Sequence, residues 1–188
     1  MHGLVNRSIE YFARQTHGDA VWTAAATAAG VDPRGVELMC EQDDSTARRL
    51  LHEIAALVGC SPPELAGDIG AWVAQRSAIR RLLRFAGRDF ASFVTTLDEL
   101  RGRARLVLRD LELPAISVAP LPRGWKLTPA CDEVWLHALA GVLHAMADDY
   151  GVLAVIEIRG DAILVDVPVV DFNEGRPFSI SDPSVGAA

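Results

Sequence analysis

The chain has 188 residues, half of them hydrophobic and 6% aromatic, with a formal net charge of −7. That length suits one domain with a substantial core, and the composition excludes disordered and membrane-embedded classes. No apolar run approaches the roughly 18 residues a bilayer span needs. The first residues lack the unbroken apolar segment of a secretory signal. Cys40, Cys60 and Cys131 form no CxxC pair. These features predict a reduced, cytoplasmic protein without structural disulfides or zinc.

In chain order, Leu4 to Thr16 reads as a first helix, turned by His17-Gly18. Asp19 opens a second helix that Gly30 stops, and Asp32-Pro33-Arg34-Gly35 is a loop. From Ser45 to Val58, Leu50, Leu51, Ile54, Leu57 and Val58 form one apolar face. Ser61-Pro62-Pro63-Glu64 is a capping box with proline at the first helical position, opening a helix through about Gln75. Ala78 to Ala86 is the next helix. Asp89 to Arg109 follows, with Phe90, Phe93, Val94, Leu97, Leu100, Ala104 and Leu108 at helical spacing.

Arg101 is the anomaly of that stretch. At about 100° per residue it falls between Val94 and Leu97 on the wheel, in line with Phe90 and Leu108. A guanidinium keeps its charge in a protein, so that position demands a polar cavity, a local partner such as Asp98, or escape along the helix surface.

Texture changes at Pro114. Ala115 to Leu121 and Arg123 to Leu127 read as two short strands, and Thr128-Pro129 starts a helix that ends at Tyr150-Gly151. Val152 to Ile158 and Ala162 to Val169 make a hairpin around Arg159-Gly160-Asp161. The order is α+β: a helical lobe, about 1–112, then an antiparallel sheet with one inserted helix, about 113–172. Residues 173–188 are the C-terminal tail, in which SDPSVGAA reads as loose.

Residues 76–109 hold nine arginines and a charge of +6, leaving −13 elsewhere. Arg76, Arg80, Arg84 and Arg88 run at intervals of four and read as a solvated face. An acidic total without aromatic residues among the arginines argues against nucleic acid. The chain has no Gly-rich phosphate loop, no GxSxG elbow and no metal-ligand pair. His52-Glu53 begins like a zinc-protease motif, but Ala56 takes the second ligand position. His137 and His144 share a solvated helix face, and Asp148-Asp149 reads as cap and surface. Nothing assembles a nucleophile, base and oxyanion site, so a ligand-binding or interaction domain outranks an enzyme.

The opening MHGLVNRSIEYFARQTHGDAVW resembles the start of heme nitric oxide/oxygen-binding (H-NOX) domains, as in soluble guanylate cyclase. Asp43-Asp44-Ser45 with LLHEIAALVGCSPPELAGDIGAW is similar to the next two helices, with Gly70 as the family's glycine. SAIRRLLRFAGRDFASFVTTLDEL then matches without gaps through Leu97-Asp98-x-Leu100, and Pro114 matches the proline that presses on the heme. Leu139 to Gly151 and the last hairpin fit the end of the domain, so the resemblance spans roughly residues 1 to 170.

The resemblance implies two lobes closing on a porphyrin held by a proximal histidine. That histidine's position is Arg101 here. The family's Tyr-x-Ser-x-Arg propionate clamp falls on Thr128, Ala130 and Asp132, and the distal tyrosine of oxygen-binding members falls on Ala138. The segment between Gly70 and Ser77 is about three residues shorter than in relatives. A guanidinium has no lone pair for iron, and Asp132 repels propionates. The expectation is a sensory or regulatory domain without heme as cofactor. Its cavity either takes another small ligand, an anion among the candidates, or is partly filled by side chains. Arg101, Pro114, Trp72, Phe93, Leu97 and Asp132 are the candidate lining residues, and Arg101 reaches Asp132 if the space has closed. The alternatives are a gas sensor whose heme is held by another donor, with His2 or Cys131 nearest, and an adaptor docking through residues 76–109. By family analogy the partners are separate kinases, cyclases or chemoreceptors, with neither nucleic acid nor membrane insertion.

Overall fold

Main-chain punctuation sets most boundaries in the structure, a computed structural model that describes residues 3–34, 44–107, 113–170, 172 and 174–178. The helical lobe begins with α1 (Gly3–His17), α2 (Asp19–Ala29), α3 (Asp44–Val58) and α4 (Pro62–Ala74). Gly18 takes the N-cap of α2, so Asp19 lies inside the helix and pairs with Arg14 instead of capping. Gly30 ends α2 at φ 72, a left-handed conformation that glycine adopts freely. The predicted box opens α4: Ser61 Oγ accepts from the Glu64 N–H, and the Glu64 carboxylate accepts from the Ser61 N–H at 2.8 Å. Phe12, Trp22, Leu50, Ile54 and Leu65 form the core of this lobe.

The second core gathers α5 (Ser77–Arg84), α6 (Phe90–Thr95), α8 (Glu133–Tyr150) and the sheet around Phe90, Phe93, Leu97, Leu143 and Ile163. Four antiparallel strands, β1 (Ile116–Leu121), β2 (Gly124–Pro129), β3 (Leu153–Arg159) and β4 (Ala162–Val169), lie in the order β1-β2-β4-β3. On β3, Ala154, Ile156 and Ile158 pack on the core while Leu153, Val155, Glu157 and Arg159 are exposed. This alternation is that of a sheet with one solvated face.

Two predicted elements are corrected. Thr128-Pro129 does not start α8 but ends β2, paired with Ser117 and Ile116. The helix starts four residues later, where the Asp132 carboxylate accepts from the Trp135 N–H at 3.1 Å. A β-branched residue beside a proline extends a strand well, and aspartate is the stronger N-cap. The single helix expected from Asp89 to Arg109 is broken into α6, a 3₁₀ turn at Leu97–Glu99 and α7 (Leu100–Val107). Asp89 does cap α6, accepting from the Ser92 N–H at 2.8 Å. His2, Cys40, Leu108 and the 179–188 part of the tail lie outside the described residues.

Candidate functional site

Thr96 makes the break that positions Arg101. Its hydroxyl donates back to the carbonyls of Ala86 at 2.9 Å and Ser92 at 3.0 Å, and its own carbonyl accepts from Arg103. Hydroxyl bonds of this kind compete with the helix ladder, and the Thr95-Thr96 pair is a poor helix former. Arg101 therefore sits in the first turn of a new helix, and its alignment with Phe90 on one continuous wheel does not apply. Its side chain is half-buried. Its Nε is enclosed and has no hydrogen-bond partner. Among the described residues neither Asp98 nor Asp132 pairs with it.

Asp132 is engaged elsewhere. Besides capping α8 it accepts from Arg48 of α3 at 2.5 Å, so the expected Arg101–Asp132 exchange is replaced by a tie between α8 and the helical lobe. Phe93 and Leu97 are fully buried in the second core, and Pro114 is half-buried ahead of β1. Trp72 belongs to the other core: it meets Phe12 edge-on at 5.9 Å, and Arg76 stacks over its ring at 4.1 Å. Four of the six candidate lining residues are thus divided between two cores and a helix cap, while Arg101 and Pro114 are half-buried outside both cores. Cys131 is half-buried, and burial together with Asp132 pushes its thiol up to about 11.

Helices α4 and α8 cross at main-chain contact. A Cβ on Gly70 would lie 2.0 Å from the Ala138 carbonyl oxygen, and one on Gly141 would lie 1.9 Å from that of Gly67. Ala138, the position matching the distal tyrosine, is therefore part of a seam that only glycine opposite it allows.

The basic stripe is the larger departure from expectation. Arg88 is solvated, but Arg80 and Arg84 point inward to Asp149, which is 4% exposed. Arg80 Nε donates to Asp149 Oδ1 at 2.7 Å, and Arg84 Nε stands 3.5 Å from Oδ2. Arg84 also stacks on Tyr150 at 4.1 Å, and burial raises that phenol to about 12. The Tyr150 hydroxyl donates to the Gly87 carbonyl at 2.7 Å. The sequence reads Asp149 as surface because its partners stand on a helix far upstream, Arg80 at a separation of 69 positions. The signal present in it is the four-residue arginine spacing together with an acidic helix end. A cavity of about 540 Å³ adjoins this cluster, away from Arg101, between α5–α6, the end of α8 and the sheet.

Known proteins share this architecture. The chain aligns with a Cs H-NOX carrying 4-cyano-phenylalanine at site 5 at 16% identity and TM-score 0.77, covering 92% of this chain and 100% of that one. A point mutant of T. tengcongensis H-NOX gives 17% identity and TM-score 0.74, covering 89% and 98%. An H-NOX protein from S. oneidensis in the Fe(II)NO ligation state gives 16% identity and TM-score 0.74, covering 90% and 99%. At such identities these structures establish the fold. No curated protein matches the sequence. The family model described as Haem-NO-binding matches residues 2–154. The chain belongs to the Haem-NO-binding, or H-NOX, family.

Proposed function

We propose that this is a sensory or regulatory H-NOX domain that works without the family's heme ligation and takes a small anion at Arg101. The residues present do not fit a heme held in the family's way. Arg101 stands where the resemblance puts the proximal histidine, and a guanidinium has no electron pair to give. Asp132 stands where the clamp's arginine belongs, and it is committed to Arg48 and to the cap of α8. Cys131 packs against the second core, where burial raises its thiol.

The observation that carries the anionic reading is the enclosed Arg101 Nε without a partner. A buried guanidinium nitrogen is unfavourable until an acceptor reaches it, and a carboxylate or phosphate supplies one. Phe93, Leu97 and Pro114 are its proposed apolar neighbours, the rest of the ancestral space being filled by side chains. Output passes to a separate signalling protein of the kinase, cyclase or chemoreceptor kind. The adaptor alternative loses support because Arg80 and Arg84, central to its docking surface, are bonded within the domain.

The test is expression with hemin supplied, followed by absorption spectroscopy. The wild-type chain is expected to give no Soret band above free heme. A Soret band in the wild-type protein overturns the reading in favour of a gas sensor with another axial donor.

A further inference from the structure

The C-terminal segment is fastened to the end of α8 by three kinds of contact. Arg80 reaches past Asp149, and its Nη2 donates to the carbonyl oxygens of Pro177 at 3.0 Å and Arg176 at 3.4 Å. The Phe178 ring lies beneath both guanidinium groups, 5.9 Å from Arg80 and 5.1 Å from Arg84. The Arg176 N–H donates to the Asp149 carbonyl at 3.0 Å, and the Phe172 N–H to that of Gly151 at 2.9 Å. Between them Gly175, at φ 63, comes so close that a Cβ would sit 3.0 Å from the Asp149 carbonyl oxygen. Positive φ and close approach together demand glycine. The described part of the tail, 174–178, is thus a strap.

This strap walls the 540 Å³ cavity. The volume suits a small organic ligand, and Phe90, Trp125, Tyr150 and Val152 give it an apolar, aromatic lining. Its charges are unevenly committed. Arg80 and Arg84 share the single carboxylate of Asp149. Asp89 caps α6 and lies 3.9 Å from Arg88. The Arg176 side chain has no carboxylate partner among the described residues, and Glu174 is the one acid on the strap side. The Arg176 guanidinium at the rim is therefore available to an anion, and the exposed Arg88 holds Asp89 only at 3.9 Å.

We infer that this cavity is a second ligand site, distinct from Arg101, for an amphipathic organic monoanion. A flat apolar body lies against Trp125 and Tyr150, its carboxylate meets Arg88 and Arg176, and Glu174–Phe178 closes over it as a lid. Ligand binding and strap docking reinforce each other, because each contributes a wall to the other.

The test uses the full chain with 2-naphthoate and its neutral isostere 2-naphthamide, followed by ligand-observed NMR. Naphthoate is expected to bind about tenfold more tightly, as one charge-assisted bond implies. The Arg88→Gln/Arg176→Gln double variant abolishes that preference. Naphthoate also slows hydrogen exchange at the Arg176 amide, and Gly175→Ala removes both that protection and tight binding. Equal affinity for acid and amide, unchanged preference in the double variant, or no saturable binding overturns the inference. Arg101→Leu leaves naphthoate binding intact; loss of binding there puts the anion at Arg101 and overturns the second site.

Discussion

A guanidinium nitrogen enclosed without an acceptor raises the free energy of the folded state unless something else supplies one. Arg101→Leu is accordingly expected to stabilise the free domain by about 1 kcal/mol, a rise of about 3 °C in melting temperature measurable by calorimetry. Asp149 behaves oppositely, since removing it strands Arg80 and Arg84 around an empty centre. Asp149→Ala is expected to cost about 3 kcal/mol in urea denaturation and to release the Arg176 amide to exchange. The two sites also differ in how they can be read. Arg101 announces itself by sitting in an apolar repeat. Asp149 sits in a run of acids at a helix end, and only the fold brings α5 beside it.

Among the elements, the α4–α8 crossing depends on the absence of side chains. Gly70→Ala drives a methyl group into the Ala138 carbonyl, main chain that cannot rotate away. A loss of about 2 kcal/mol is expected by thermal denaturation, with the helices pushed apart. Caps and periodicity make the capping box of α4, the glycine ends of α2 and α8 and the β3–β4 hairpin legible in the sequence. The break at Thr96 is not, because apolar spacing from Phe90 to Ala104 continues across it while the hydroxyl finds partners in the preceding turn. The start of α8 is misleading for a related reason. Thr-Pro is a sound helix opening locally, but pairing with β1 satisfies those residues better. Among the candidate lining residues, Trp72 is packed against Phe12, a contact no local pattern announces.

For the whole molecule, the shifted groups set an alkaline limit. Burial holds the Cys131 thiol at about 11 and the Tyr150 phenol at about 12, above their ordinary values of 9.0 and 10.0. The fold favours both neutral forms, so their contribution is complete below about pH 9, lost first through Cys131 as pH rises towards 11, then through Tyr150 towards 12. Equilibrium denaturation across that range is expected to show stability falling from about pH 9 upward. Cys131→Ala makes that fall shallower without abolishing it, since burial also raises the Cys60 thiol and the Tyr150 phenol.

The seam between α4 and α8 carries an evolutionary consequence. Where peptide groups abut directly, drift has almost no tolerated steps, whereas a lost cofactor relaxes selection on every side chain that once held it. Related chains should therefore keep glycine at 70 and 141 even where positions 101, 128, 130 and 132 differ.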